Sequence, residues 1–208
     1  LSEDDLKRND MYRANAQRAK AQSRFADYHD YLLSLEMTAE IGDFSPLYLQ
    51  RITQLTNKSN QFNLTTKRYT AEQMEAVYNS DEYIRLYGKL YDKFGDNGVV
   101  AVTIGKTDSE DKGRLDIELW LMSCRVLKRD MELAMLDSLV EQAKKRGIRE
   151  IYGHYYPTAK NKMVAGLYES FGFEKISQDE EGNTAWRLLV EGYEDKNTVI
   201  KVKEEHYA

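Results

Sequence analysis

The chain has 208 residues, 41% of them hydrophobic, enough for one sizeable core with a helical appendage. A formal net charge of −5, with acidic and basic residues interspersed, excludes a general nucleic-acid binder, which needs clustered Lys and Arg against phosphates. One cysteine excludes an intrachain disulfide and a cysteine metal cage, and no apolar run approaches the roughly 18–20 residues of a membrane helix.

The polar start LSEDDLKRND does not read as a secretory signal, and with the lone cysteine the expectation is a cytoplasmic protein. Leu1 reads as the beginning of a piece of a longer chain. His29, His154 and His206 are too scattered for a metal site, and none is expected.

Ser2 and Asp5 resemble a capping box opening a helix that runs to about Phe25, rich in Ala, Arg, Lys and Gln and lacking a strong apolar face. Phe25, Tyr28, Leu32 and Leu35 form a second short amphipathic piece, so 1–34 reads as a helical connector. The globular domain, 35–193, begins with a strand in LEMTAEIG. A helix follows in SPLYLQRITQLTNKSN, with Ser45 as cap, Pro46 in its first turn, and Leu49, Ile52 and Leu55 on one face.

After the polar stretch NQFNLTTKRYT, Thr70 opens another helix. YIRLYGKLYDKF, GVVAVTIG and RLDIELWLMSC then predict an antiparallel meander. Its first turn is FGDNG, with positive φ at Asn97 and Gly98, and its second is TDSEDKG. A 3.6-residue period in DMELAMLDSLVEQAKKRG gives a helix ending at Gly147. IREIYGHYY is a strand, NKMVAGLYESFG a helix closing at Gly172, and TAWRLLVEGY the final strand, leaving 194–208 as a tail. Strand–helix–strand between about Arg114 and Tyr156 implies a parallel pair with a right-handed crossover. The expected fold is α/β, a mixed, mostly antiparallel sheet with helices on both faces.

Ligands of open α/β sheets bind beyond the carboxyl ends of parallel strands. Cys124 and His154 fall near two such ends, which predicts a thiol nucleophile assisted by an imidazole base. The following helix N-terminus, Arg125, Lys128 and Arg129 supply positive charge. A small buried hydrophobe and a satisfied core histidine are the plainer readings of these two residues. Asn60, Gln61 and Asn63 lie in an amide-rich loop anchored by Phe62 and Leu64, a candidate substrate contact or a solvated loop. Thr158 reads as a helix cap, with Lys160 and Asn161 in a first turn suited to an anion. Tyr168 is a packed aromatic or a proton donor.

The element order, with LYESFGFEK after a βαβ unit, resembles the GNAT acyltransferase fold. SNQFNLTTKRYT, FGDNGVVAV, LWLMSCRVL and YYPTAKN, in this order, further resemble FkbH-like proteins of the haloacid dehalogenase (HAD) superfamily. MYRANAQRAKAQSRFADYHDYLLSLEM resembles that family's interdomain connector. The resemblance implies a phosphatase-like, magnesium-dependent HAD domain in the full-length protein, preceding this GNAT-like half. It also implies transfer of a glyceryl-type or other small acyl unit to the phosphopantetheine of an acyl carrier protein.

Tyr168 then takes the general-acid position. Cys124 becomes the acyl acceptor, Arg125, Lys160 and Asn161 hold a phosphate or hydroxyl end, and Asn60, Gln61 and Asn63 orient the acyl unit. GNAT enzymes that use acetyl-CoA carry a Q/R-x-x-G-x-G/A loop. LKRDME places Leu127, Asp130 and Glu132 at its positions, so charge and bulk disfavour acetyl-CoA, and no firmly bound cofactor is expected. The alternatives are an acetyl-CoA-dependent N-acetyltransferase and a non-catalytic module that docks a carrier or forms a homodimer through the connector. No nucleic-acid or membrane partner is expected.

Overall fold

The computed structural model describes residues 2–204. Helix α1 (Glu3–Gln22) is capped by Ser2, whose hydroxyl accepts the Asp5 N–H, and α2 (Tyr28–Ser34) follows. Strand β1 (Met37–Gly42) leads to α3 (Pro46–Lys58), which has Pro in its first turn, and α4 (Ala71–Tyr78), which is opened by a complete Thr70–Gln73 capping box. The meander is β2 (Tyr83–Asp92), β3 (Gly95–Thr107) and β4 (Arg114–Met122). Then come α5 (Met131–Lys145), β5 (Glu150–Tyr155), α6 (Leu167–Ser170), β6 (Glu174–Gln178), β7 (Thr184–Leu189) and β8 (Ile200–Glu204).

All eight strands form one sheet in the order β6-β7-β5-β4-β3-β2-β1-β8. Its neighbours are antiparallel except β4–β5 and β1–β8. One face packs α5 and α6 through Met131, Met135, Leu139, Tyr168 and Phe171. The other packs α3 and α4 through Ile52, Leu55, Met74 and Val77. The expected mixed sheet with helices on both faces is what the chain forms. Among the described residues no helix is long and apolar enough to cross a membrane.

Four local expectations are corrected. The β2–β3 reversal falls at Lys93–Phe94, not within 95–98. Gly98 has φ +71 as expected, but Asn97 is buried in a bulged stretch of β3 without positive φ. NKMVAGLYESFG is not one helix. It breaks into a 3₁₀ turn (Lys162–Val164) and the single-turn α6, separated by Ala165 and Gly166. The return strand expected in FEK after that helix end is present and forms the edge strand β6.

The fourth correction is β8, which lies in the stretch read as tail and extends the sheet beside β1. The Asp137 carboxylate accepts the Tyr193 hydroxyl and the Lys196 and Asn197 amides, aiming the chain into that place. His206 lies outside the described residues.

The connector helices are docked on the domain. Tyr31, Leu32 and Leu35 belong to the α5-side core. On α1, Arg18 is buried and makes a bidentate pair with Asp92 at 2.6 and 2.8 Å. The partner that the weakly apolar α1 needed is the end of β2.

Candidate active site

The parallel strands β4 and β5 pair only over Arg114–Asp116 with Glu150–Tyr152 and then diverge. The gap is closed by the amide-rich loop itself. Leu64 N–H donates to Trp120 O (3.1 Å), Met122 N–H to Phe62 O (3.0 Å), and Tyr156 N–H to Leu64 O (2.9 Å). Asn63 bridges Leu121 in antiparallel fashion. Phe62–Leu64 thus acts as a short inserted strand that satisfies both diverging edges, with Leu64 fully buried.

Asn161 holds this insert in place. Its amide donates to Asn63 O and Tyr156 O (3.0 Å each), and its carbonyl accepts Thr158 N–H at 2.7 Å. Asn161 and Asn63 are both 0% exposed, so neither side chain offers itself to a substrate as the sequence suggested. Asn161→Ala strands three backbone groups, and a loss of about 3 kcal/mol is expected in urea unfolding.

Thr158 does not cap a helix. Its hydroxyl accepts the Lys160 and Asn161 amides in a turn ahead of the 3₁₀ segment, and Lys160 is exposed. Asn60 is bonded to Arg68 and Lys58 O. Gln61 accepts from the exposed Cys124 thiol at 3.2 Å. Tyr168 is 1% exposed, packed beside Trp120 and Phe173 and against Gly153, where even a Cβ would meet its ring at 2.3 Å. Burial pushes its phenol pKa strongly upward, so a reacting group has no route to this hydroxyl.

Cys124 and His154 are not brought together. The His154 imidazole reaches Asp116 near the start of β4, whereas Cys124 lies beyond the other end of that strand and its thiol bonds Gln61. His154 instead lines a separate cavity of about 710 Å³, with Thr65, Lys67, Lys106, Asp116, Glu118 and Tyr156. The imidazole Nε2 lies 2.7 Å from Asp116 Oδ2. Arg114 clamps the same carboxylate at 2.7 and 3.0 Å and stacks its guanidinium 3.7 Å from the Tyr152 ring centre. Burial disfavours the Asp116 anion, but hydrogen bonds from His154 and Arg114 outweigh this and hold its pKa down to about 2.

Beside the pair, Glu118 accepts Lys67 Nζ at 2.6 Å and the Tyr69 hydroxyl at 2.9 Å. A β-bulge at this residue explains its aim. β3 pairs Gly105 with Ile117 but Ile104 with Leu119, leaving Glu118 extra. Leu115 and Ile117 therefore face the α5 side, while Leu119 and Leu121 face the α3 side. Asp116 and Glu118 share the cavity in consequence. The sequence reading passed over both carboxylates, although their alternation in RLDIEL is the signal that marks them.

The start of α5 departs from the expected motif register. The two left-handed residues are Lys128 (φ +65) and Asp130 (φ +67), the spacing of the two small residues of Q/R-x-x-G-x-G/A, which puts Arg125 first. Lys128 and Asp130, rather than Asp130 and Glu132, carry side chains where the motif has none. Burial raises the pKa of Asp130 and that of Glu132, which bonds its own backbone N–H at the helix start. Tyr28 of α2 donates to Lys128 O above the same turn. Two carboxylates at the helix N-terminus and a strand in the crevice do not fit coenzyme A with its pyrophosphate.

No protein-family model matches the chain, and no curated protein matches it in sequence. Solved structures do match. The ribosomal-protein-S18-alanine N-acetyltransferase of Escherichia coli is 14% identical with a TM-score of 0.55, over 77% of this chain and 99% of that one. The structure of yncA from Salmonella typhimurium with its cofactor acetyl-CoA is 14% identical, TM-score 0.55, over 76% and 96%. An acetyltransferase of the GNAT family from Streptococcus pneumoniae is 17% identical, TM-score 0.53, over 73% and 99%. The likeness extends over nearly the whole of those chains, and this chain has the α/β fold of the GNAT acetyltransferases.

Proposed function

We propose that the chain is an acyltransferase domain whose chemistry runs in the His154–Asp116 cavity, and that it passes the acyl unit to the phosphopantetheine thiol of a carrier and does not use free coenzyme A. The observation that carries this reading is the oriented pair. An ionised Asp116 beside Nε2 favours the tautomer with the proton there, which leaves Nδ1 as the acceptor for a substrate proton. A cavity of about 710 Å³ has the size of a small-molecule site.

In the proposed step His154 Nδ1 takes the proton of an acceptor thiol as its sulfur attacks a thioester carbonyl. The new C–S bond forms, the old one breaks, and the departing thiolate takes the proton back from the imidazolium. The resemblance to FkbH-like proteins supplies the finer identity: a glyceryl-type or other small acyl unit, an acyl carrier protein, and a HAD domain in the full-length protein.

An amine acceptor is a second reading, which leans on Asp108 as a contact for an ammonium group, since Asp116 and Glu118 are already paired with Arg114, His154 and Lys67. Presenting one small acyl thioester with either a carrier thiol or an amine, and following product by intact mass, separates the two readings.

Cys124, remote from His154 and hydrogen-bonded only to Gln61, has no base in this arrangement. Cys124→Ala is therefore expected to keep at least half of the acyl-transfer rate. A mass adduct on the chain that disappears in this variant would replace the direct mechanism with a covalent one.

A further inference from the structure

A second cavity, of about 1190 Å³, lies between α1, α3 and the β2–β3 hairpin, and two arginines line it, Arg51 and Arg125. Arg51 projects from the middle of α3, and Arg125 from the 3₁₀ turn after β4 (Cys124–Val126). Both are half-buried. Among the described residues neither forms an ion pair. The Arg125 side chain has only Ser123 Oγ (3.3 Å) and the Met11 sulfur (3.2 Å) as partners.

The contrast with the other buried arginines is direct. Arg18 and Arg129 share Asp92, and Arg85 has Asp43 at 2.8 Å. Burial lowers the pKa of Arg51. At Arg125 burial acts first and the charge of Arg51 second, both lowering it, while Asp96 opposes them from beyond ion-pair distance. Two like charges drawn together out of water are unfavourable unless a ligand brings the opposite charge.

We infer that Arg51 and Arg125 form an oxyanion site, independent of the His154 cavity, that takes the phosphoryl group of a small phosphorylated metabolite. Two guanidinium forks lining one cavity from different elements suit a tetrahedral group with several acceptor oxygens, where a lysine pair would offer only point charges. The cavity far exceeds a bare phosphate ion, leaving room for the organic part beside Gln17 and Gln54. Asp4, Asp10 and Asp96 also line it, with Lys7 and Arg13, and these carboxylates favour hydroxyls on the organic part over a second anion. Helix α1 forms one wall, so an occupied site ties the connector to the domain.

The test is calorimetry on the full 208-residue chain with inorganic phosphate, glycerol 3-phosphate and succinate as probes. The expected result is saturable binding of glycerol 3-phosphate, weaker binding of phosphate, and at least a tenfold loss of affinity in Arg51→Gln and in Arg125→Gln. Each variant is also expected to melt no lower than the parent without ligand, since one of two repelling charges is gone. That outcome distinguishes a ligand site from a structural pair. Absence of binding by all three probes would overturn the inference, as would succinate binding as tightly as glycerol 3-phosphate. Binding that survives in the Arg51→Gln/Arg125→Gln double variant would show it elsewhere on the surface and overturn it equally. None of these outcomes depends on acyl transfer, so this site and the His154 reading fail separately.

Discussion

On the proposed function, His154→Gln is expected to lower the acyl-transfer kcat by about 10²–10³-fold with little change in KM, the size expected when a positioned general base is lost. Glutamine can place its amide nitrogen where Nε2 stands and donate to the Asp116 carboxylate, so packing is kept while proton acceptance at Nδ1 is removed. Asp116→Asn is expected to fall nearly as far, because an amide no longer selects the tautomer with the proton on Nε2.

The two variants also constrain pH behaviour. Asp116 has a lowered pKa in the folded chain, so its stabilising contribution is complete above its ordinary carboxylate value of about 4. That contribution is lost as pH falls through about 2. A loss of activity between pH 5 and 7 therefore belongs to another group. An unchanged kcat in His154→Gln would remove the cavity from the reaction.

Asp92→Ala costs about 3–5 kcal/mol of stability, the loss expected when buried charges are left without their partner. The Asp92 carboxylate is 0% exposed. It receives Arg18 at 2.6 and 2.8 Å and Arg129 at 3.5 Å, and it also accepts the Phe94 and Gly95 amides of the hairpin. Alanine leaves two guanidiniums and a turn unsatisfied at once. The midpoint of urea unfolding gives the magnitude, and limited proteolysis within α1 gives the location, since α1 loses its one buried charged anchor. Adding Arg18→Met to Asp92→Ala is expected to restore part of the loss, because one stranded charge is then absent. A loss under about 1 kcal/mol would mean that water already reaches this cluster.

Much of the fold was legible because its signals are local. Thr70–Gln73, Pro46 and Gly147 mark helix ends in single short windows, and the period of DMELAMLDSLVEQAKK sets α5 apart from the strands beside it. β8 was not legible. It is five residues long and lysine-rich, as an edge strand is, and Asp137, distant in sequence, aims it.

The site divides in the same way. His154, read as a base beside Cys124, lines a polar cavity away from that thiol, and its partner Asp116 arrives through strand pairing while the Glu118 bulge arises from register. The loop Asn60–Asn63 was singled out for its amides. Its backbone turned out to carry the structure, through bonds to Trp120 and Tyr156 that no local window contains. Arg125 was expected to add charge beside Cys124 and, by the resemblance, to hold a phosphate or hydroxyl end; Arg51, which lines the same cavity, comes from a helix far away in sequence.

The gap between β4 and β5 is filled by the chain's own Phe62–Leu64 segment. Hydrogen exchange at the Leu64 and Tyr156 amides, with and without saturating acetyl-CoA, is the direct test. Slow exchange at both amides and no change on adding acetyl-CoA are expected, because Phe62–Leu64 already satisfies both strands. Fast exchange at Leu64 that becomes slow when acetyl-CoA is present would contradict it, showing an open crevice that the cofactor fills.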